Sequence, residues 1–364
     1  MIHLALIATI ASAQTPVERD SAGIRIVENP ARATAPVVFR LGARTASIGG
    51  PADNPDDEFR RGWSYALRMS DGSIAMPDRD RVQFFSVRGE RAGIFGRAGA
   101  GPEEFSSLGA LEFCRTRGDT LVAGDNHNGR TAIIHARKVV RTVPLSVAYG
   151  GSMVGCFDDG TFLMRGGLPN FRTPTYTIRL NRLRLDGTHV NEIGKFDLQA
   201  PSAVTRLHNA TVKAWGQRVY IGDGANSEIR VYRANGKLTH IIRSADPPQR
   251  VSAADAEKNL AGTAPSFRQF ATIWRPETWP AYSTFYVDPE GRLWVGSYVW
   301  NHAESPNDVW TAFDTSGHLI GRLEVPRKLD GKSVSVLAFG NNEVQLRWID
   351  ADGFVHLSFH ALTR

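Results

Sequence analysis

The chain has 364 residues, 42% hydrophobic and 22% charged, an ordinary globular composition long enough for one large domain or two medium ones. Its formal charge of +6 comes mostly from arginines scattered among acidic neighbours, and the lack of a basic run argues against a nucleic-acid partner. No run of about 18 or more apolar residues exists to span a membrane as a helix.

The first residues, MIHLALIATIASAQT, hold an apolar stretch over residues 4–11 and then Ala11-Ser12-Ala13, the small-x-small form of a signal-peptidase site. The sequence therefore predicts a signal peptide over residues 1–13, cleavage after Ala13 and an extracytoplasmic protein, periplasmic or secreted. The departure from the usual pattern is the missing Lys or Arg ahead of the apolar run. Residues 14–36 read as an entry segment with one strand, 24–27. Strand-like segments follow at 37–41 and 46–48, and a Gly-Pro-Asp-rich stretch ends at Phe59.

Residues 71–105, DGSIAMPDRDRVQFFSVRGERAGIFGRAGAGPEEF, show the unit from which the rest is built. A turn at Asp71-Gly72 leads to an apolar strand, an Asp78-x-x-Arg81 corner and a strand alternating at Val82, Phe84 and Val87. A turn at Arg88-Gly89 then leads to a last strand and a Gly-rich exit. Period-2 patterning between Gly turns predicts an antiparallel meander. Phe59 and Phe105 close similar exits 46 residues apart, and a period near 45 with four short strands is that of a propeller blade.

Further along, first-hairpin turns recur with Gly72, Gly118, Gly160, Gly216, Gly291 and Gly340, at steps of 46, 42, 56, 75 and 49 residues. The long step contains an insertion at about residues 248–280, with a helix-like stretch over 252–260 that has Ser252 as N-cap and Asp255 in its first turn. The final unit, 334–362, supplies three strands, and residues 37–48 supply the missing fourth. The expected fold is thus all-β: a six-bladed β-propeller over residues 37–364, of four-stranded antiparallel blades, closed by N- and C-terminal strands so that no sheet edge is left open. Cys114 and Cys156 sit at about the same place in successive units. A bridge between them and two separate buried thiols are both compatible with the sequence.

The order of apolar strand, Asp78-x-x-Arg81, aromatic strand, Gly turn and Phe95-Gly96-Arg97-x-Gly99-x-Gly101-Pro102-x-Glu104-Phe105 resembles the NHL-like six-bladed propellers, a branch of the TolB-like superfamily abundant among exported bacterial proteins. Worn copies occur at 223–232 and 125–134. The resemblance implies the fold and little about activity, since such propellers include scaffolds, sensors, lactonases and lyases.

The Gly96 to Gly101 run lacks the Lys-Ser/Thr of a phosphate loop and reads as an inter-blade connection. Asp78 with Arg81, and Asp125 with Arg130, read as corner ion pairs that set strand entry. Loops of excess length, expected on one face around the channel mouth, carry Asn170, Arg172, Arg206, His208, Asn209, Trp274, Arg275, Trp279, Trp300, Asn301, His302 and Glu304. This set can stack on a sugar or peptide ring and hydrogen-bond its polar edge, with Arg172 and Trp300 the leading pair. His127, His208 and His302 are candidate zinc ligands, and Glu304, Asn170, Asn209 and Asn301 candidate calcium ligands, although no cofactor is expected. The sequence therefore predicts a monomeric binding module that presents a rim pocket to a small ligand, glycan or peptide, with an unknown small ligand, glycan or protein as partner. A metal-dependent hydrolase or lyase of lactonase-like or peptidylglycine-lyase-like kind, or a protein–protein scaffold, are the alternatives.

Overall fold

Short polar side chains set the hairpins of this chain. At Asp71, Asp159, Asp186, Asn235, Asp288, Asp314 and Asp350 a side-chain oxygen accepts the backbone N–H two residues on, at 2.8–3.1 Å, which fixes a tight turn before the next strand begins. The computed structural model describes residues 16–51, 58–59, 65–78, 80–106, 108–145, 151–167, 173–200, 210–263, 265–268, 275–299 and 305–364.

The strands in chain order begin with β1 (Val17–Ser21), β2 (Ile24–Asn29) and β3 (Val37–Gly49). A first meander follows, β4 (Leu67–Arg68), β5 (Ile74–Asp78), β6 (Arg81–Phe85) and β7 (Arg91–Phe95), then the small parallel pair β8 (Arg97–Ala98) and β9 (Glu104–Phe105). The second is β10 (Leu108–Arg115), β11 (Leu121–Asp125), β12 (Arg130–His135) and β13 (Lys138–Pro144). The third is β14 (Ser152–Cys156), β15 (Phe162–Gly166), β16 (Thr175–Leu183) and β17 (His189–Gln199). The fourth is β18 (Thr211–Trp215), β19 (Arg218–Gly222), β20 (Glu228–Arg233) and β21 (Leu238–Ser244). After α1 (Ala253–Ala261) and the single turn α2 (Pro265–Arg268) come β22 (Phe285–Val287), β23 (Leu293–Gly296), β24 (Asn307–Phe313) and β25 (Leu319–Pro326). The chain ends with β26 (Lys328–Leu329), β27 (Lys332–Gly340), β28 (Glu343–Ile349) and β29 (Val355–Thr363).

The arrangement is a β-propeller, but not one of six separate blades as the turn spacing predicted. Four meanders, β4–β7, β10–β13, β14–β17 and β18–β21, stand as separate sheets, while β22 to β29 and β3 form one continuous nine-stranded sheet. The cause is the length of β3. Its first residues lie parallel to β25, with Val37 opposite Arg322 and Phe39 opposite Leu323. The rest, from Arg40 to Gly49, pairs antiparallel with β29. One thirteen-residue strand thus crosses from one meander to the next. Apolar clusters between neighbouring meanders follow the chain round, from Val82 and Phe113 through Leu163 and Val219 to Trp294 and Leu346. They return to the start where Ile48 of β3 and Leu357 of β29 meet Ile74 of β5. Trp294 and Phe339 are stacked at 4.3 Å in this core.

The entry segment also departs from expectation, for it holds two strands. β1 pairs antiparallel with β2, and β2 lies parallel to β21, making a six-stranded sheet. Buried Asn29 ties it to two meanders: its amide donates to the carbonyls of Arg243 and Gly317 at 3.0 and 2.9 Å, and its oxygen accepts the Leu319 N–H at 2.8 Å. The predicted helix is present as α1, where the Ser252 hydroxyl accepts the Asp255 N–H.

The Gly-rich exit is an inter-blade connection. A Cβ at Gly96 would fall 2.5 Å from the Phe105 ring and one at Gly99 2.2 Å from the Glu104 carboxylate, and both glycines have positive φ. Arg130 donates to the carbonyls of Ala100, Gly101 and Glu104, and Asn128 to that of Gly99. The same arginine lies 3.1 Å from buried Asp125, as the corner reading expects. At the first corner Arg81 lies 2.7 Å from Asp80, and buried Asp78 accepts a hydrogen bond from Gln83.

Candidate functional site: the central channel

The first strand of a propeller blade faces the ring's axis. Here β4, β10, β14, β18, β22 and β27, with the turns that follow them, wall a cavity of about 770 Å³. That volume lies within the range of small-molecule sites.

Around one arc the wall is cross-linked. Arg68 of β4 grips Glu343 of β28 with its Nη2 2.7 Å from one carboxylate oxygen, and donates to the carbonyls of Gly72 and Val87 at 2.9 Å. The Gln345 side chain donates to the Ala66 carbonyl at 2.8 Å and accepts the Ala66 N–H at 3.0 Å. The Ser70 hydroxyl donates to Asp119, and the Tyr65 hydroxyl to the Phe113 carbonyl. Cys114 of β10 and Cys156 of β14 are joined by a disulfide, with Cα atoms 5.8 Å apart. The bridge thus spans the first strands of adjacent meanders.

The opposite arc is held more lightly. Between β18 and β22 the Thr211 and Thr284 hydroxyls are 3.2 Å apart, and Trp215 Nε1 donates to the Pro289 carbonyl at 3.2 Å. Lys213 projects between these contacts, half-buried, with its Nζ 5.1 Å from the centre of the Tyr286 ring. Burial pushes the Lys213 ammonium down to about 8 and the Tyr286 hydroxyl up to about 12. Burial likewise raises Tyr65. Both tyrosines are therefore neutral hydrogen-bonding groups at ordinary pH, and the lysine carries a charge it can lose.

Most of the residues singled out in the sequence fall outside the described residues. Asn170, Arg172, Arg206, His208, Asn209, Trp274, Trp300, Asn301, His302 and Glu304 lie outside the described residues. Arg275 is exposed, 3.8 Å from Glu257. Trp279 is buried and stacks on Tyr298 at 6.0 Å, so it packs the insertion. His127 sits exposed on the turn after β11. Among the described residues no three His, Cys, Asp or Glu side chains group to hold a metal ion. A smaller cleft of about 290 Å³ lies beside Ser297, Tyr298 and Trp310, and the buried Trp310 Nε1 finds no hydrogen-bond partner among the described residues. Sequence reasoning missed Lys213 and Tyr286. The signal available was a lysine inside the apolar strand Thr211–Trp215, the strand a propeller turns toward its axis.

No protein-family model matches the chain, and no curated protein matches it. Among solved structures it is similar to a candidate exported protein from Bacteroides fragilis, at 11% identity over 93% of this chain and 100% of that one, with a TM-score of 0.54. It is also similar to a member of the DUF4221 family from Bacteroides vulgatus, at 8% identity over 90% and 99% of the two chains, TM-score 0.48. A gluconolactonase from Xanthomonas campestris matches at 14% identity over 96% of each chain, TM-score 0.40. At such identities the likeness is one of fold, and the Bacteroides fragilis structure carries it: this chain shares the β-propeller fold.

Proposed function

We propose that the protein is an extracytoplasmic β-propeller binding module whose central channel seats a small ligand. The observation that carries this reading is the 770 Å³ cavity, walled on one arc by cross-links and on the other by aromatic rings and one lysine. In this reading the ring counts six blades, the nine-stranded sheet contributing β22–β25 and β27–β29 with β3. It belongs to the NHL-like branch on the strength of the Asp78-x-x-Arg81 corner and the Phe95 to Phe105 exit. Export is supported by the residues 4–13 pattern and by the Cys114–Cys156 bridge, which suits an oxidising compartment. The protein acts as a monomer.

A thermal-shift screen of small molecules tests the reading. Stabilising ligands should be found, and Asn341→Trp, which adds bulk to the lining from the exposed turn after β27, should abolish their effect while the variant keeps a cooperative melt. Ligands that stabilise this variant as well as the parent would move the site out of the channel. The second reading, a seat on the rim, is favoured by the cleft of about 290 Å³ beside Tyr298 and Trp310. Under it the notion of Arg172 and Trp300 as ligand contacts would be kept, and Trp310→Phe in place of Asn341→Trp would remove the effect.

A further inference from the structure

The cations and carboxylates on the channel wall are unequal in what they have left to offer. Arg68 is committed to Glu343, and Arg115 to Asp119 at 2.8 Å. Asp288 accepts from Arg292 at 2.6 Å and from Trp294 at 2.9 Å. Asp158 is exposed at the mouth, where its N–H donates to the Gly216 carbonyl. Tyr65 and Tyr286 are neutral. That leaves Lys213 as the one channel-lining cation, among the described residues, that faces only an aromatic ring. An ammonium drawn into a channel without a carboxylate partner of its own costs desolvation free energy, which an incoming anion would recover.

We propose that the channel binds a small monoanion with an apolar or aromatic body, its carboxylate or sulfonate paired with Lys213 and its body lying against Tyr286 and Trp215. This deepens the reading of the channel as a ligand seat and rests on it. One ammonium compensates one negative charge, and a second charge on the ligand would be left unpaired or would meet Asp158, so a dianion is disfavoured. The Tyr286 and Trp215 rings, which flank Lys213 on the lining, suit a ligand with an apolar or aromatic body. Because burial alone sets Lys213 near 8, the anion's affinity is full below that pH and falls as pH rises through it.

Two dyes that differ in charge separate these claims: 1-anilinonaphthalene-8-sulfonate and its uncharged parent N-phenyl-1-naphthylamine, titrated by fluorescence into the whole protein. The sulfonate should bind with 1:1 stoichiometry, weaken about ten- to a hundredfold in Lys213→Met, and weaken between pH 7 and pH 9.5 in the parent only. The neutral dye should bind both proteins alike at both pH values. Reductive methylation with peptide mapping should show Lys213 protected by the sulfonate. If both dyes bind the channel but the sulfonate ignores Lys213→Met, the anion inference fails and the ligand seat stands. If neither dye enters the channel, with Lys213 unprotected, both fail. Melting curves confirm that Lys213→Met is folded.

Discussion

The two arcs of the channel wall are built on different principles. Where β4, β10, β14 and β28 come together, the wall is cross-linked by Arg68 with Glu343, Gln345 with Ala66 and the Cys114–Cys156 bridge. Where β18 and β22 meet, the wall is made of rings and a lysine whose charge has no carboxylate partner among the described residues. Satisfied polar groups rigidify and leave nothing for a ligand, whereas an unsatisfied one is a standing invitation to bind. Structure is thus concentrated on one side of the axis and chemistry on the other.

Removing cross-links should break the first arc most severely. The double substitution Cys114→Ala with Cys156→Ala opens a loop of 42 residues and should lower stability by about 4 kcal/mol in the chain-entropy account. Denaturant unfolding of the variant beside the parent measures it, and an unchanged midpoint would show that the bridge is not needed by the wall. Arg68→Ala should cost about 2 to 4 kcal/mol, because it strands Glu343 and leaves the Gly72 and Val87 carbonyls without their donor. Adding Glu343→Gln should recover part of the loss.

On the second arc the sign should reverse. Lys213→Met removes a desolvated charge and should stabilise by about 1 to 2 kcal/mol at pH 7. The folded-state pKa lies below the unfolded one, so the penalty is fully present below about pH 8 and is relieved as pH rises toward the ordinary lysine value of 10.5. The parent and Lys213→Met should therefore converge in stability across that window. Curves that stay parallel would mean that the lysine finds solvent or an anion in the folded protein.

The turns were legible because the side chains that make them act locally. Asp71 and Asp159 hydrogen-bond within two residues, and no tertiary information is needed to read that. The role of β3 was legible too, since the last meander lacked a strand that residues 37–48 could supply. Its reach across to β25 was not, because parallel pairing leaves no mark in either sequence. β1, Val17–Ser21, is exposed along its length and shows no alternation, so only its hairpin partner was foreseen. The disulfide needed a distance that sequence does not supply. Lys213 was passed over for a related reason: a single lysine in a short strand reads as the solvent side, and only the ring decides that this side is the axis.

β3 also sets a schedule. Its pairing of Ala46 with Phe359 joins residues 359 − 46 = 313 positions apart, so the ring cannot close before the last strand has been delivered. Contacts this remote in sequence make for slow folding, and until they form β25 and β29 each present an open edge to whatever strand is nearby. The time between delivery of the first strand and arrival of the last is when this molecule is most exposed to misassembly with its own copies.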